Sequence, residues 1–451
     1  MGRFKKNLLA DSGATTLGLV AQLLLIVMLA RLLDTREYGN YILASSMVAV
    51  GEMFSDFGTR MWAIRQTALG MDLRDGFRPI LFTKVAYTCV FAAGVIILSG
   101  QTISPTNLCL VVAIAFLQPS TDPILWQFRG REQLYIDALI TFVWRLSAAA
   151  LMLFAASIGR TITFTLGAWL VANIARVTVE LAWLRRHQSA TVAPRTPSAL
   201  PLPSSAALMQ HVFPIGCAFV LMSLYQRVGV FALNRIGDAA SVAIYGTAFS
   251  LVTVPGFFAV SVSSALLPRL SRSVHARALA EATATLGRGL LLIAGLFAVL
   301  CVAGVIAAPW IFELLFPARY YQGYRVMQIL LPGLYVSSLS VLLKFCLNAL
   351  SLNTFDAVAS GLGIVVFVLI VAVPSWSVPS WGAAVAWNAG ELFIFVARSV
   401  VLHRDGRVGV RLAVRLGVLY PLLVVACYLL GHAADSVHAH FPLPHVSLGV
   451  R

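Results

Sequence analysis

The sequence predicts an all-α polytopic membrane protein of about 12–13 transmembrane helices in two six-helix bundles, and three observations carry that prediction. Of 451 residues, 59% are hydrophobic and only 11% charged. A soluble domain carries roughly 25% charged residues, so too little polar surface remains to coat a water-soluble globule. The apolar residues also fall into runs of about 20, the helical length that crosses a hydrocarbon core of about 30 Å. Finally, the loops between runs alternate between basic and nearly uncharged, as the positive-inside rule requires.

Taken in order, spans are expected at Ser12–Leu33, Asn40–Phe57, Ile80–Leu98, Leu108–Trp126, Tyr135–Ser157 and Thr161–Leu184. Seven more follow at Met209–Phe231, Val242–Leu266, Leu286–Ala308, Val326–Asn348, Ala357–Val373, Trp381–Leu402 and Leu412–Leu430. The first run follows Arg3, Lys5 and Lys6 but is too long for a signal-peptide core and lacks a small-residue cleavage site, so it reads as a retained span. Gln118-Pro119, Asp122-Pro123 and Pro255-Gly256 interrupt the fourth and eighth spans, because proline removes a backbone donor and bends a helix.

The loops orient the chain with its N-terminus in the cytoplasm. The second loop carries Arg60, Arg65, Arg74 and Arg78, the fourth Arg129 and Arg131, and the sixth Arg185, Arg186 and Arg195. The eighth carries Arg269, Arg272, Arg277 and Arg288, and the twelfth Arg404, Arg407 and Arg411. The third loop, Ser99 to Asn107, and the eleventh, Pro374 to Ser380, have no Lys or Arg. The net charge of +15 therefore belongs to the cytoplasmic face, and no nucleic acid partner is expected.

The longest polar gap, Arg185 to Ala206, contains Pro194, Pro197, Pro201 and Pro203 among Ser and Thr, the composition of an extended linker. It divides the chain into an N-terminal six-helix bundle (1–184), a cytoplasmic linker (185–208), a C-terminal six-helix bundle (209–403) and an extra helix with a tail (404–451). Tyr38-Gly39 opens the second span and Tyr245-Gly246 the eighth, corresponding places in two halves. A two-fold repeat is a common transporter plan. His432, His438, His440 and His445 are irregularly spaced and read as a solvated tail. The six cysteines form no CxxC pair, so no metal site is read there. Phosphate-binding, nucleophile-elbow and zinc-protease motifs are missing, and neither a cofactor nor enzymatic activity is expected.

Charge at membrane depth costs at least about 2.5–3.5 kcal/mol on insertion scales, so ionisable groups inside spans mark candidate sites. Glu52, Asp56 and Arg60 recur every four residues on one helix face. They read either as a carboxylate site for a coupling ion, with Arg60 drawing an anion, or as an internal salt bridge. Asp137, Thr141 and Arg145 share a face of the fifth span, and Ser223 and Arg227 one of the seventh, beside Gln226. Ser337, Ser340, Lys344 and Asn348 form a stripe on the tenth span, and Asn388 and Glu391 stand three apart on the twelfth. Lys84, Arg31 and Arg398 are placed where they could snorkel to an interface. Asn173, Arg176 and Glu180 approach an inner helix end, where a structural or snorkelling role is expected. If the cations Arg145, Arg227, Lys344, Arg60 and Arg31 converge, they make a cationic cavity suited to phosphate. Asp137, Gln226, Asn348 and Asn388 would add its polar lining, and Glu52, Asp56 and Glu391 are the ion-coupling candidates.

Five stretches in order resemble the Wzx-type oligosaccharide flippases of the multidrug/oligosaccharidyl-lipid/polysaccharide exporter superfamily. They are Leu29-Ala30-Arg31-Leu32-Leu33-Asp34 with Glu37-Tyr38-Gly39-Asn40-Tyr41; Asp56-Phe57-Gly58 with Arg65; and Ile244-Tyr245-Gly246-Thr247-Ala248 with Pro268-Arg269-Leu270-Ser271. Ala308-Pro309-Trp310-Ile311 through Tyr320-Tyr321, and Trp381-Gly382-Ala383-Ala384-Val385-Ala386, complete the set. The resemblance spans Ser12 to about Leu402. It implies two bundles in a V shape, in a bacterial inner membrane, working by alternating access. The implied substrate is a polyprenyl-pyrophosphate-linked oligosaccharide, with membrane lipid, a proton or Na⁺ and polysaccharide polymerase machinery as further partners. The chain departs from its relatives at Gly229, near a position where many of them carry Asp. A membrane-embedded polymerase or ligase, or another exporter of the superfamily, is the alternative; short outer loops disfavour the enzyme.

Overall fold

The computed structural model describes residues 2–60, 62–63, 73–99, 103–120, 134–187, 205–373 and 378–440. Among these residues there are helices and no strand. The helices are α1 (Gly2–Leu32), α2 (Thr35–Asp56), α3 (Leu73–Ser99), α4 (Pro105–Ser120), α5 (Leu134–Gly159), α6 (Ile162–His187) and α7 (Ser205–Ile236). They continue as α8 (Ala239–Thr253), α9 (Gly256–His275), α10 (Leu279–Leu315), α11 (Gly323–Ala349), α12 (Asn353–Val371), α13 (Pro379–Asp405), α14 (Arg411–Val418) and α15 (Tyr420–His440).

Ten helical segments among the described residues are long and apolar enough to cross a membrane, α8–α9 and α14–α15 each forming one of them. The shorter apolar helices Leu17–Leu32 and Pro105–Ser120, with the more polar α2, occupy the remaining expected spans. Every backbone donor and acceptor in hydrocarbon must be satisfied within the chain, and helices satisfy most of theirs internally. The chain is thus a multi-pass membrane protein.

Local chemistry sets the boundaries. Asp34 caps α2 by accepting the Glu37 amide at 2.7 Å, and Asp238 caps α8 by accepting the Ser241 amide at 2.8 Å. The eighth span is two helices: α8 stops at Thr253 and α9 starts at Gly256, because Pro255 has no amide proton to continue the ladder. The 37 residues of α10 outrun the span expected from hydropathy, at about 55 Å of helix against a core of about 30 Å. The C-terminal tail is also corrected: Gly431–His440 continues α15.

The chain divides into two compact units, Met1–Ser223 and Leu224–Arg451. In the first, α1 packs on α5, α5 on α6, and α2 on α3 and α4. Its core near the end of α2 joins Phe57, Trp62, Ile80 and Tyr87 to Leu208, Val212 and Val220 of α7. The Phe57 and Tyr87 rings stack at 3.7 Å. In the second unit α11 is central, with α8, α9, α10, α13 and α15 against it.

Candidate functional site

Lipid cannot solvate a charge, so each ionisable side chain in an apolar helix must find a partner or keep access to water. The structure sorts the intramembrane cations on that basis. Three are buried in carboxylate pairs. Lys84 of α3, with no exposed side-chain surface, places Nζ 3.7 Å from Asp56 of α2. Asp56 also accepts the Thr59 hydroxyl at 3.3 Å and the Arg60 amide at 3.2 Å. Arg176 of α6 donates to Glu180 at 2.9 Å and to the Gln118 carbonyl of α4 at 3.3 Å, with the Trp144 ring of α5 at 4.7 Å. In the second unit Arg398 of α13 donates to Asp356 of α12 at 2.7 Å and to the Ser340 hydroxyl of α11 at 2.6 Å. The snorkelling positions expected for Lys84 and Arg398 are therefore corrected: each long side chain turns inward to a carboxylate.

Other cations keep accessible surface. Arg145 of α5 is exposed and lies across Gly18 of α1, where a methyl group would come within 3.0 Å of the guanidinium. Arg31, Arg60, Arg227 and Lys344 are half-buried, as is Glu52. The Lys344 Nζ stands 3.9 Å from Asp356, giving that carboxylate two cations. The Asp137 side chain lies outside the described residues.

The second unit holds a buried carboxyl of a different kind. Glu391 of α13 is 7% exposed and makes no ion pair among the described residues. Its polar neighbours are the Ser337 hydroxyl of α11 and the Tyr225 phenol of α7. The phenol lies close to the carboxyl but outside strict hydrogen-bond geometry. Tyr225 reaches this place through a slot between Gly390 of α13 and Gly363 of α12; a methyl at Gly390 would stand 2.9 Å from the phenol oxygen. One turn before Glu391, Asn388 donates to the Ile329 carbonyl at 2.6 Å, and its own carbonyl oxygen is buried without a partner.

The α11 stripe read from the sequence is real over two turns: Ser337 faces Glu391, Ser340 holds Arg398, and Lys344 faces Asp356. It ends there, since Asn348 is exposed at the helix terminus. Gln226 is exposed, whereas its neighbour Tyr225 is buried. Sequence reasoning missed Asp356 because it precedes the apolar run, and Tyr225 because an aromatic in a span reads as core. Gly229 also finds its reason: a methyl there would come within 2.4 Å of the Tyr245 hydroxyl, so Tyr245 occupies the room that a larger side chain would need.

Of the histidines expected in a solvated tail, His432 and His440 are exposed, His445 lies outside the described residues, and His438 is corrected. His438 of α15 stands 2.7 Å from Glu313 of α10 and 3.0 Å from the Tyr321 hydroxyl, while Asp435 lies 3.6 Å from Arg325 of α11. These contacts clasp α15 to α10 and α11. No group of three or more metal-type side chains occurs among the described residues.

A family model described as polysaccharide biosynthesis protein matches residues 4–274, more than half of the chain, and the MatE model matches 214–373. The sequence has no significant match among curated proteins. Among solved structures, the chain is similar to the lipid II flippase MurJ in an inward closed conformation, at 12% identity and TM-score 0.65, covering 95% of this chain and 98% of that one. It is also similar to the eukaryotic MATE transporter AtDTX14, at 13% identity and TM-score 0.57, covering 96% and 100%. A Vibrio cholerae MATE transporter, VcmN in its bent form, matches at 12% identity and TM-score 0.54, covering 92% and 98%.

Proposed function

The chain belongs to the polysaccharide biosynthesis protein family, within the multidrug/oligosaccharidyl-lipid/polysaccharide exporter superfamily, and on that premise we propose that it flips a polyprenyl-pyrophosphate-linked oligosaccharide from the cytoplasmic to the periplasmic leaflet. The setting is the bacterial inner membrane with the N-terminus inside, which the basic loops support. The bundles 1–184 and 209–403 alternate access, joined by the linker 185–208, and the product passes to polymerase machinery. The similar MurJ is a lipid II flippase, which favours the same class of cargo.

The observation that carries this reading is the sorting of the cations. Lys84, Arg176 and Arg398 are buried, whereas Arg31, Arg60, Arg145, Arg227 and Lys344, the last also 3.9 Å from Asp356, keep accessible surface in or beside apolar spans. Accessible guanidinium at membrane depth suits a pyrophosphate, which it can grip with two parallel donors. Glu391 serves as the coupling carboxyl: it makes no ion pair of its own among the described residues, and a buried carboxyl so placed is neutralised by taking up a proton or Na⁺. Glu52 and Asp56 are the alternative coupling carboxyls, in the first unit, Asp56 being held by Lys84.

A deletion strain tests the reading. Leaflet-specific labelling is expected to find complete lipid-linked repeat units trapped on the cytoplasmic side, with Arg145→Ala/Arg227→Ala unable to restore export although inserted normally. Single units accumulating on the periplasmic side would overturn it in favour of a polymerase.

A further inference from the structure

In the second unit α14 and α15 follow α10 along its length. At one end the Gly409 amide, just before α14, donates to the Thr283 hydroxyl of α10 at 2.9 Å, and a methyl on Gly287 would stand 3.5 Å from Leu412. At the other end His438 meets Glu313. Ala413 and Leu416 turn α14 inward, and both are buried. The opposite face carries Arg411, Val414, Arg415 and Val418, all exposed and spaced i, i+3, i+4, i+7. Arg288, the residue after Gly287 on α10, is exposed as well. None of these three arginines makes an ion pair among the described residues. The sequence has no Asp or Glu from Gly406 to Ala434, so no carboxylate of that segment competes for them.

We infer that Arg411, Arg415 and Arg288 bind the headgroup of an anionic phospholipid in the cytoplasmic leaflet, with its acyl chains against α10 and α15. Two exposed valines cost free energy in water, and two arginines cost it in hydrocarbon. A face that alternates them is satisfied at the boundary where phosphates meet acyl chains. The surface beyond is hydrocarbon on both helices. Leu291 and Leu292 follow Arg288 on the same face of α10 at i+3 and i+4, and α15 exposes Leu422, Val425 and Leu429. The arginines fix the sign of the headgroup, since a zwitterionic lipid brings no net charge to three unpaired cations. An acidic peptide would answer the arginines but leave the valines and the leucines beyond them uncovered. The inference uses the topology proposed above and is independent of the cargo.

Native mass spectrometry of the purified full chain, titrated with single lipids, tests the site. Phosphatidylglycerol should bind more tightly than phosphatidylcholine. Arg411→Gln/Arg415→Gln should weaken phosphatidylglycerol roughly thirtyfold, about fivefold for each arginine, and adding Arg288→Gln should cost about fivefold more. Arg411→Lys/Arg415→Lys should keep most of the affinity, because the charge is retained. These side chains are exposed and hold no carboxylate, so every variant should melt like the wild type in zwitterionic detergent. Equal binding of the two phospholipids would overturn the proposal, as would a preference for phosphatidylglycerol that survives the glutamine substitutions. Polyprenyl phosphate displacing phosphatidylglycerol at equal concentration would assign the arginines to the lipid carrier and overturn it too. Transport is read separately: a wild type that binds phosphatidylglycerol through these arginines but flips no lipid-linked sugar would keep the site and remove the flippase reading.

Discussion

Asp56 in the first unit and Glu391 in the second are both buried carboxyls on apolar helices, and they are neutralised in different ways. Asp56 has a dedicated cation, the fully buried Lys84 at 3.7 Å, along with the Thr59 hydroxyl and the Arg60 amide. Glu391 has a phenol, a serine hydroxyl and an arginine already committed to Asp356. The first arrangement is self-contained and fastens α2 to α3. The second leaves Glu391 without an ion pair of its own among the described residues, since Arg398 and Lys344 both face Asp356, and on the proposed reading such a carboxyl changes its neighbours' geometry when a proton or metal cation arrives. On the proposed reading the protein uses both: carboxylates that hold helices together throughout the cycle, and one whose charge state reports the ion gradient.

The largest effect should come from turning the first arrangement into the second. Lys84→Met leaves Asp56 buried without its cation, and breaking a buried pair costs about 3–5 kcal/mol. A strong loss of thermal stability in detergent is expected. The double variant Lys84→Met/Asp56→Leu should recover most of it, since replacing a whole buried pair by apolar groups is often neutral. If the single variant is as stable as wild type, the pair is not a fastening.

Gly229→Asp probes the alternative position for a coupling carboxyl. The Tyr245 hydroxyl would lie 2.4 Å from the first added atom, and overpacking of this kind costs about 1–3 kcal/mol. Lower stability without gain of transport is expected, and Gly229→Asp/Tyr245→Ala should recover the stability. A stable, active Gly229→Asp would mean that the second unit retains room for its relatives' arrangement.

Glu391→Gln sharpens the comparison directly, because the amide mimics the neutral, proton-loaded carboxyl. Gradient-driven transport should fall at least about tenfold, equivalent to roughly 1.4 kcal/mol in the driven step. Folding and downhill exchange should persist. Transport that keeps its full gradient response would place the coupling elsewhere, Asp56 and Glu52 being next in line.

Much of this was legible in the sequence for a physical reason. Crossing the membrane demands about 20 apolar residues per helix, and loop charge is arranged by topology, so hydropathy and Arg positions alone located the spans. The α11 stripe was legible too, since polar residues at helical spacing in an apolar helix must face something polar. Pairing was not. Nothing in the residues around Lys84 distinguishes a chain that snorkels from one that turns inward to Asp56, because the partner sits 28 residues away on another helix. Asp356 escaped because it stands at the rim of its span, where a carboxylate costs little by itself; only the fold brings Arg398 to it from 42 residues on. His438 was hidden by composition, since histidines near prolines read as a tail until α15 carries them to Glu313.

The smallest effects should appear where the two units are most alike, at the capped starts of α2 and α8. Asp34→Ala and Asp238→Ala each remove a cap worth about 1 kcal/mol. The first unit adds a tie the second lacks: the Glu37 carboxylate reaches across to accept the Ile162 amide at 2.6 Å, capping α6 as well, whereas Ser241 stands at the same offset from Asp238. Glu37→Gln should therefore loosen α6 in hydrogen exchange, whereas Ser241→Ala, which removes only a local hydroxyl contact to Asp238, should leave the other helices unchanged. The Asp238 cap should also respond to acid. Hydrogen bonds from Ser241 hold its carboxyl below the usual aspartate range, so its contribution is complete above about pH 3.8 and is lost as pH falls through the lowered value. Protection of the Ser241 amide, taken relative to its intrinsic exchange rate at each pH, that falls on acidification in the wild type but is already low and pH-independent in Asp238→Ala would confirm that the cap holds the first turn of α8. Equal protection in both would mean that packing of Tyr245 and Phe249, stacked at 5.6 Å, fixes that turn without help from the aspartate.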